Sequence, residues 1–505
     1  MPKRNQRRCA LLGFLVLLLT VSLSPAISLA ESEWHTLTLA AETPFETPVH
    51  IQQTDVARPV VMIVGGMHGN EPAGAAAAEQ IADWPIVRGT LIVVPRANLP
   101  ALEIDKRLSP NVPEDQNNLN RNFVWADGQV QTLGPMAADL WKLVQSHQPD
   151  WVIDLHEGFD VNAKNKKSVG SSIIHDRSAE ADAMAGLMLN AVNAEIADPS
   201  NHFVPLGPPV AGSLARAAGD HTHARSMIVE TTTKDRRLSL RTRQHRVMVA
   251  AMLDELAMLP ADVDANTIAF GPRTDGKTCV AVYDDGGASV NGVKNLLRVC
   301  NDQGNVVARR VCAKDIRAGV LEQFDVVCFG GGGGSNLSKS LNEEGRAAVR
   351  NFVTDGGDYL GVCAGAYLAC SGFSWGLGIL DARTKSNKWR RGRATLEVEF
   401  QTSGMSFFSP QENRLKLYYA NGPILAPNNK EDLPDYEVLA WFREEVARNG
   451  TPAGIMVDSP AIVRGEFGEG DVFCFSPHPE STKGMDYLLQ RVIHEQQREL
   501  ANEQN

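Results

Sequence analysis

The sequence predicts an α/β protein that folds as two domains. Between residues 55 and 255, short apolar segments rich in β-branched residues alternate with longer helix-forming segments. That alternation is typical of a mostly parallel sheet with helices on its faces. The chain of 505 residues is longer than one hydrophobic core usually supports. Proline, aspartate, asparagine and glycine accumulate after residue 256, which indicates a linker over residues 256–275.

The first 30 residues predict a secretory signal peptide. Four basic residues precede an apolar run over residues 10–23, and Ser28, Leu29 and Ala30 form a small-x-Ala cleavage site. The mature protein is therefore expected to be secreted, into the periplasm, and an uncleaved signal anchor is the alternative. No other apolar segment is long enough to cross a bilayer, so the sequence predicts no membrane span beyond this segment.

The net charge argues against one class of partner, and the number of cysteines argues against a disulfide-rich fold. The formal net charge is −11 and no basic cluster is prominent, so the sequence predicts no nucleic-acid partner. Of the eight cysteines, all but Cys9 lie after residue 275. An odd number in one half argues against a regular disulfide framework, and most of these thiols are expected to be small buried side chains. One or two disulfides stay open as an alternative.

The first domain is expected to contain four buried strands and four helices. The strands are predicted at residues 60–64, 90–94, 151–155 and 226–229. The helices are predicted at residues 72–82, 135–147, 178–195 and 242–258. Ligand sites in such sheets lie outside the carboxyl ends of the strands, so polar residues that directly follow a strand are the candidates for chemistry.

Three of these strands end in residues that suit a metal site. The segment GGMHGNEPAG (65–74) places His68 and Glu71 at the mouth of a helix that begins near Pro72. The segment WVIDLHEG (151–158) supplies His156, and SMIVE (226–230) supplies Glu230. Zinc takes imidazole nitrogen and carboxylate oxygen ligands, and a catalytic zinc has three of them plus water.

Together with Arg107 and the segment LNRNF (119–123), these segments resemble the zinc carboxypeptidase superfamily, and most closely its aspartoacylase and succinylglutamate desuccinylase branch. The resemblance covers about residues 55–255. It implies a zinc-dependent hydrolase that cleaves an amide bond near a free carboxylate in a small acylated amino acid or peptide. At matching positions it implies zinc ligands His68, Glu71 and His156, the proton-transfer residue Glu230, the oxyanion-stabilising Arg107, and the substrate-carboxylate ligands Asn120 and Arg121.

Several alternatives stay open in this domain. Asn118 stands where the family usually has aspartate, and Lys106 or Arg96 is an alternative to Arg107. Glu157 is a rival general base, and Asp154 is a candidate for orienting a ligand histidine. Three histidines in polar segments are expected to be solvated and not to bind the metal: His175, His221 and His223.

The second domain has its own candidate nucleophile. The segment GVCAGAY (361–367) places Cys363 between small residues, as a sharp strand-to-helix turn requires, and a helix N-terminus favours the thiolate. The segment CFSPHPE (474–480) supplies His478 and Glu480 as base and orienting residue. The glycine run at residues 330–334 offers backbone N–H groups for an oxyanion. It lacks the Gly-Lys-Ser/Thr ending of a phosphate-binding loop.

These segments and YYANGP (418–423) resemble the class I glutamine amidotransferase fold, and most closely the amidotransferase-like N-terminal domain of some biotin–protein ligases. The resemblance covers about residues 277–495 and implies a flavodoxin-like, doubly wound sheet. No biotin-ligase catalytic domain and no ammonia-consuming synthetase domain are visible, so an accessory binding role and a Cys363-dependent amidase both stay open.

The sequence thus predicts two doubly wound, mostly parallel-sheet domains. The expected division is a signal peptide at 1–30, a zinc-dependent deacylase or carboxypeptidase domain at 31–258, a linker at 259–276, an amidotransferase-like domain at 277–495 and a polar tail at 496–505. A non-catalytic protein that binds a peptide or glycan is the alternative function. The oligomeric state is unknown from the sequence.

Overall fold

A computed structural model describes residues 33–261 and 276–494. The predicted signal peptide, most of the predicted linker and the polar tail lie outside the described residues. Among the helices described, none combines the length and the apolar character needed to cross a membrane.

The first domain is built on an eight-stranded sheet with the order β1-β2-β4-β3-β7-β10-β8-β9. Its centre, β4-β3-β7-β10, is parallel, and antiparallel pairing begins on either side of it. A separate hairpin is formed by β5 and β6. The strands are β1 Glu33–Leu39, β2 Thr47–Gln53, β3 Val60–Gly65, β4 Thr90–Val94, β5 Phe123–Ala126, β6 Gln129–Thr132, β7 Trp151–Gly158, β8 Ser172–His175, β9 Val204–Leu206 and β10 Arg225–Thr232.

Helices cover both faces of this sheet, each with its own apolar core. The first face is packed by α1 Pro72–Ile81, α4 Ala179–Ala194 and α6 Leu238–Glu255. The opposite face is packed by α3 Pro135–His147 and α5 Leu214–His221, and the short α2 Leu99–Glu103 follows β4. The doubly wound arrangement predicted for this domain is therefore confirmed.

The second domain has a nine-stranded sheet with the order β12-β11-β13-β14-β21-β20-β19-β16-β17. The first five strands in that order are parallel, and the last four extend the sheet antiparallel. The strands of this sheet are β11 Thr278–Tyr283, β12 Val306–Val311, β13 Val326–Phe329, β14 Asp358–Val362, β16 Arg393–Phe400, β17 Arg414–Ala420, β19 Glu437–Phe442, β20 Pro460–Phe467 and β21 Gly470–Phe475. A separate two-stranded antiparallel sheet is formed by β15 Ala382–Thr384 and β18 Leu425–Pro427.

This sheet is also covered on both faces. One face is packed by α7 Val290–Asn301, α11 Thr402–Phe408 and α12 Tyr487–Ile493. The other is packed by α8 Ala313–Arg317, α9 Gly334–Thr354 and α10 Ala364–Ala369. Both predicted domains are thus α/β, with the antiparallel extension as the main departure from a wholly parallel sheet.

Helix α6 joins the two domains through buried ion pairs. Arg243 Nη1 and Arg246 Nη2 lie 2.8 and 2.5 Å from Asp315 Oδ1 on α8. Arg237, which precedes α6, lies 2.7 Å from Asp284 Oδ1 at the end of β11. The predicted bounds of this helix, 242–258, are therefore four residues late at the start, because arginines that look solvent-facing in the sequence are buried against the second domain.

The open question of disulfides is also answered for the described residues. All seven cysteines of the second domain are buried, and none of them forms a disulfide among the described residues. Burial raises the pKa of most of these thiols, to about 12 for Cys300 and Cys370. Cys279, Cys300, Cys328, Cys370 and Cys474 act as small apolar side chains in the two cores of the sheet.

Candidate active sites

The first site forms where the parallel strands of the first domain end. In the sheet, β7 lies between β3 and β10, and Glu230 is the register partner of His156. His68 lies in the loop after β3, and Glu71 directly precedes α1. Parallel strands bring their carboxyl ends to one edge of a sheet, which is why residues so distant in sequence meet here.

His68, Glu71 and His156 converge as the sequence predicts. Their ligand atoms all lie within 4.8 Å of one another, and all three residues are buried. Glu71 stands between the rings: its Oε1 lies 2.9 Å from His68 Nδ1, and its Oε2 lies 2.8 Å from His156 Nδ1. The two imidazole rings meet edge to face, with centroids 4.9 Å apart.

The outer nitrogens of both rings face oxygen atoms that fix the orientation of each ring. His68 Nε2 lies 3.1 Å from Asn118 Oδ1. His156 Nε2 lies 2.9 Å from Asp154 Oδ2, although the two atoms are not aligned for a hydrogen bond. Oxygen partners on the outer nitrogens turn Nδ1 of each ring toward Glu71, so the two nitrogens and this carboxylate face one another as a metal site requires. Asn118 thus supplies a carbonyl oxygen where the related family usually has a carboxylate.

The residues present fit a zinc ion. The donor set is two imidazole nitrogens and one carboxylate oxygen, as in known three-ligand zinc sites. His68 Nδ1 is buried and makes no hydrogen bond with the described protein atoms. A buried nitrogen without a partner is costly unless a ligand satisfies it. The contacts with the two histidines hold the pKa of Glu71 well below its usual range, although burial alone would raise it.

Glu230 lies beside this cluster and is almost fully buried, with 6% of its surface exposed. Its Oε2 has no hydrogen-bond partner among the described residues. Burial raises the pKa of Glu230 to about 8, and the neighbouring Glu71 carboxylate adds to the rise. A carboxyl group with a pKa near neutrality is suited to taking up and returning a proton.

Both carboxylate oxygens of Glu157, the alternative general base, already have partners. Its Oε2 accepts a hydrogen bond of 2.8 Å from the backbone N–H of Ala73, and its Oε1 forms a buried ion pair with Arg241 of α6. Thr231 also donates to Oε1. With both oxygens engaged in holding α1 and α6 to the sheet, this carboxylate is structural.

The predicted arginines lie at the mouth of the site. Arg107 forms an ion pair with Glu71, and 48% of its side chain is exposed. Arg121 is exposed and donates a 2.6 Å hydrogen bond to the carbonyl of Asn120. The Oδ1 atom of Asn120 is buried and has no hydrogen-bond partner in the described part of the chain. Desolvation and the nearby charge of Arg107 lower the pKa of Arg121, so the two guanidinium groups share one electropositive region.

One arginine and three histidines were alternatives in the sequence, and their contacts lie outside the site. Arg96 forms an ion pair with Glu79 on α1. His175 is buried at the end of β8 and contacts the carbonyl of Asp176, so the prediction that it is solvated is wrong. His221 stacks on Trp125 with ring centroids 3.6 Å apart. His223 lies 3.9 Å from Asp150.

Sequence reasoning missed two residues beneath the metal site, Arg241 and His245. Both are buried on α6, and His245 Nε2 lies 3.2 Å from Thr231 Oγ1. Burial lowers the pKa of His245 to about 3, so its ring is neutral. Neither residue belongs to a recognisable motif, and only the packing of α6 under β7 and β10 brings them to the site.

In the second domain, Cys363 occupies the predicted strand-to-helix turn between β14 and α10. Its φ and ψ angles are 53° and −96°, a strained conformation for a residue with a side chain. Such strain is common where a turn presents a nucleophile. The Sγ atom lies 3.4 Å from the carbonyl oxygen of Ala420 on β17.

His478 and Glu480 complete the predicted arrangement. His478 Nδ1 lies 2.7 Å from Glu480 Oε1, and both residues are buried. Burial would lower the pKa of His478, but Cys363 and Glu480 raise it well above its usual range. Its Nε2 has no hydrogen-bond partner of good geometry among the described residues. A carboxylate that orients a histidine beside a thiol can support nucleophilic chemistry.

The glycine run contributes less than the sequence suggests. The N–H of Gly333 already donates to the carbonyl of Gly287, so this group is not available to an oxyanion. Gly331 lies against the His478 ring, because a Cβ placed on it would lie 3.0 Å from His478 Cε1. These glycines and Cys363 line a pocket of about 760 Å³.

Comparisons with known proteins agree with this division. Residues 57–205 match the family described as "Succinylglutamate desuccinylase/Aspartoacylase catalytic domain". Residues 278–388 match the family described as "Biotin-protein ligase, N terminal". The first match relates residues 57–205 to a family of deacylases, which are amide hydrolases, and the chain is a fusion of two regions with different relatives.

Individual relatives cover only part of the chain. A 104-residue segment is 36% identical to N-alpha-acetyl-L-2,4-diaminobutyric acid deacetylase of Halomonas elongata, and covers 20% of this chain and 29% of the deacetylase. The mDAP-bound form of Helicobacter pylori Csd4, a D,L-carboxypeptidase, is 18% identical with a TM-score of 0.35, over 44% of this chain and 61% of that one. A metallo-carboxypeptidase from Burkholderia cenocepacia is 14% identical with a TM-score of 0.34, over 45% and 65% of the two chains.

Proposed function

We propose that the first domain is a zinc-dependent hydrolase that cleaves an amide bond near a free carboxylate, as an N-acyl amino acid deacylase or a carboxypeptidase does. The observation that carries this proposal is the convergence of His68, Glu71 and His156 within 4.8 Å, next to the buried carboxyl group of Glu230. A zinc ion bound there would polarise the substrate carbonyl and activate a water molecule.

The residues around the metal ligands have distinct roles in this proposal. Glu230 takes a proton from the attacking water at Oε2 and passes it to the leaving amine, for which its raised pKa is suited. Arg107 faces the cluster from the solvent side, where a guanidinium stabilises negative charge on the carbonyl oxygen. Asn120 and Arg121 hold the carboxylate of the substrate, because a guanidinium fork matches a carboxylate.

The metal content of the purified protein tests this proposal. About one zinc per chain, absent from a His68→Ala, His156→Ala variant, would support the site and justify screening N-acyl amino acids and short peptides. A folded wild-type protein that binds no metal would overturn the hydrolase. A protein that binds zinc and peptides but hydrolyses none would instead support the non-catalytic alternative.

Export to the periplasm is part of the proposal and rests on the sequence of residues 1–30 alone. Protein recovered from the periplasm with Glu31 as its first residue would support cleavage of a signal peptide. Protein that keeps Met1 and stays with the membrane would support the signal-anchor alternative.

A second candidate function is an amidase that depends on Cys363. The strained turn at Cys363 and the 2.7 Å contact between His478 and Glu480 favour it. If the Cys363→Ala variant keeps all hydrolytic activity while Glu230→Gln loses it, the activity belongs to the first domain. The reverse result would assign it to Cys363.

A further inference from the structure

The pocket of the second domain is lined by more arginine side chains than acidic ones. Arg390 and Arg393 line it, and neither makes an ion pair with a carboxylate among the residues that the structure describes. Glu480 is the one acidic residue in its lining, and its Oε1 is engaged by His478 and Ser481. In a chain with a net charge of −11, this is a locally cationic cavity.

The two arginines approach the pocket from one side. Arg393 begins β16 and is the register partner of Ala420 on β17, whose carbonyl contacts Cys363 Sγ at 3.4 Å. Residues opposite each other in an antiparallel pair project from the same face of the sheet. Arg390 lies over the ring of Trp389, with its guanidinium carbon 4.9 Å from the ring centroid, and 48% of Trp389 is exposed.

The other wall of the pocket is aromatic. Phe373 and Trp375 stack with centroids 4.5 Å apart, and Tyr367 lies next to Phe373. Trp375 reaches the start of α9, since a Cβ on Gly334 would lie 3.0 Å from its ring. Both arginines are exposed to solvent, and these aromatic side chains offer an apolar surface to the rest of a ligand.

We propose that this pocket binds a carboxylate ligand with an apolar or aromatic group, its carboxylate held by Arg390 and Arg393 and its adjacent carbon presented to Cys363. The buried Nε2 of His478, which has no hydrogen-bond partner of good geometry among the described residues, is the second feature that calls for a ligand at this place. The proposal concerns binding in the second domain and does not depend on hydrolysis in the first.

Alkylation of Cys363 tests the proposal directly. Iodoacetate and iodoacetamide both transfer a two-carbon group to a thiolate: the sulfur attacks the CH₂ carbon, a C–S bond forms and iodide leaves. Only iodoacetate carries the carboxylate. Mass spectrometry of the full chain would give the rate at Cys363 for each reagent, with free glutathione as the reference thiol.

The pocket should favour the anionic reagent. Relative to glutathione, we expect the ratio of the iodoacetate rate to the iodoacetamide rate to be about tenfold higher at Cys363. An Arg390→Gln, Arg393→Gln variant should bring this ratio down to that of glutathione. A change in the thiolate fraction of Cys363 cancels in the ratio, because it affects the rates of both reagents equally. Arg383→Gln, which changes an exposed arginine outside the pocket lining, should keep the high ratio.

Ligands that protect Cys363 from alkylation distinguish a carboxylate site from a phosphate site. N-acetylphenylalanine should slow the alkylation, whereas its neutral amide should not. Protection by phenyl phosphate alone would overturn the carboxylate assignment. A ratio equal to that of glutathione, a high ratio that survives the double arginine change, or no labelling of Cys363 by either reagent would overturn the anion-binding pocket.

Discussion

Gly74 on α1 lies directly against the carbonyl of Leu155 on β7: a Cβ placed on Gly74 would be only 2.2 Å from that oxygen. This close approach brings the start of α1, and with it Glu71, up to His156, the residue that follows Leu155. The metal site therefore depends on the absence of a side chain three residues after one of its ligands.

Gly74→Ala should push α1 away from β7 and separate Glu71 from His156. We expect a loss of about 3 kcal/mol or more in the free energy of unfolding, since the clash is with backbone atoms that cannot repack, together with weaker zinc binding. Thermal unfolding and metal content measure both effects.

Gly186→Ala is the matched control, because it makes the same change in a helix. A Cβ at Gly186 of α4 would meet nothing within 4 Å. Alanine should there stabilise the helix by up to about 1 kcal/mol and leave zinc binding unchanged. Equal behaviour of the two variants would contradict the argument from close packing.

Glu230→Gln should lower hydrolysis by about 100-fold or more, because a positioned proton-transfer group contributes that much. It should not lower the unfolding temperature or the zinc content, since an amide replaces a buried carboxyl group that lacks a partner at Oε2. Steady-state kinetics, metal analysis and calorimetry check the three expectations.

The same change at Glu157 should lower the stability of the protein, whereas the change at Glu230 should lower its activity. Glu157→Gln leaves the buried guanidinium of Arg241 without its charge partner, and breaking such a pair costs about 3–5 kcal/mol. The unfolding temperature should fall markedly. A variant that is as stable as the wild type and inactive would show that Glu157, and not Glu230, transfers the proton.

Removal of the metal should destabilise the first domain. A ligand that binds only the folded state at 100 times its Kd adds about 2.7 kcal/mol. A chelator should therefore lower the unfolding temperature of the wild type, and the return of zinc should restore it. The His68→Ala, His156→Ala variant should not respond, and an equal response in both proteins would place the metal elsewhere.

Asp315 carries the charge that ties α6 to the second domain. Asp315→Asn should cost about 3–5 kcal/mol, because Arg243 and Arg246 then stay buried without this carboxylate. Asp458→Asn is the control: this exposed partner of Arg443 should change stability by less than about 1 kcal/mol. Denaturant unfolding followed by tryptophan fluorescence measures both.

The Asp315 effect should depend on pH. Although burial would raise the pKa of Asp315, the arginines hold it below its usual 3.8 in the folded protein. Its contribution is therefore present above that value and is lost as the pH falls through the lower, folded-state pKa. The stability difference between wild type and Asp315→Asn should shrink in acid, and a constant difference would contradict this origin.

The sequence by itself determined the α/β class of the fold and singled out the segments that are candidates for chemistry. Those predictions rested on local signals: buried strands have apolar patterns, and His68, Glu71 and Cys363 follow strands in recognisable motifs. His156 lies within β7, which runs to Gly158 and so extends past the predicted end at residue 155. The prediction of α/β domains is confirmed, and the donor set supports zinc. The roles of Glu230, Arg107 and the Cys363 group stay predictions for the experiments above.

Only the tertiary structure decided which polar side chains already have a hydrogen-bond or ion-pair partner. Asn118 and Asp154 face the outer nitrogens of the histidines, and Arg241 takes up Glu157, so Glu230 is left as the carboxylate beside the cluster. Helix α6 looks polar in sequence, yet it is buried between two domains by ion pairs. Such pairings join residues tens of positions apart, and no local pattern encodes them, because packing of whole elements determines the partner of each charge.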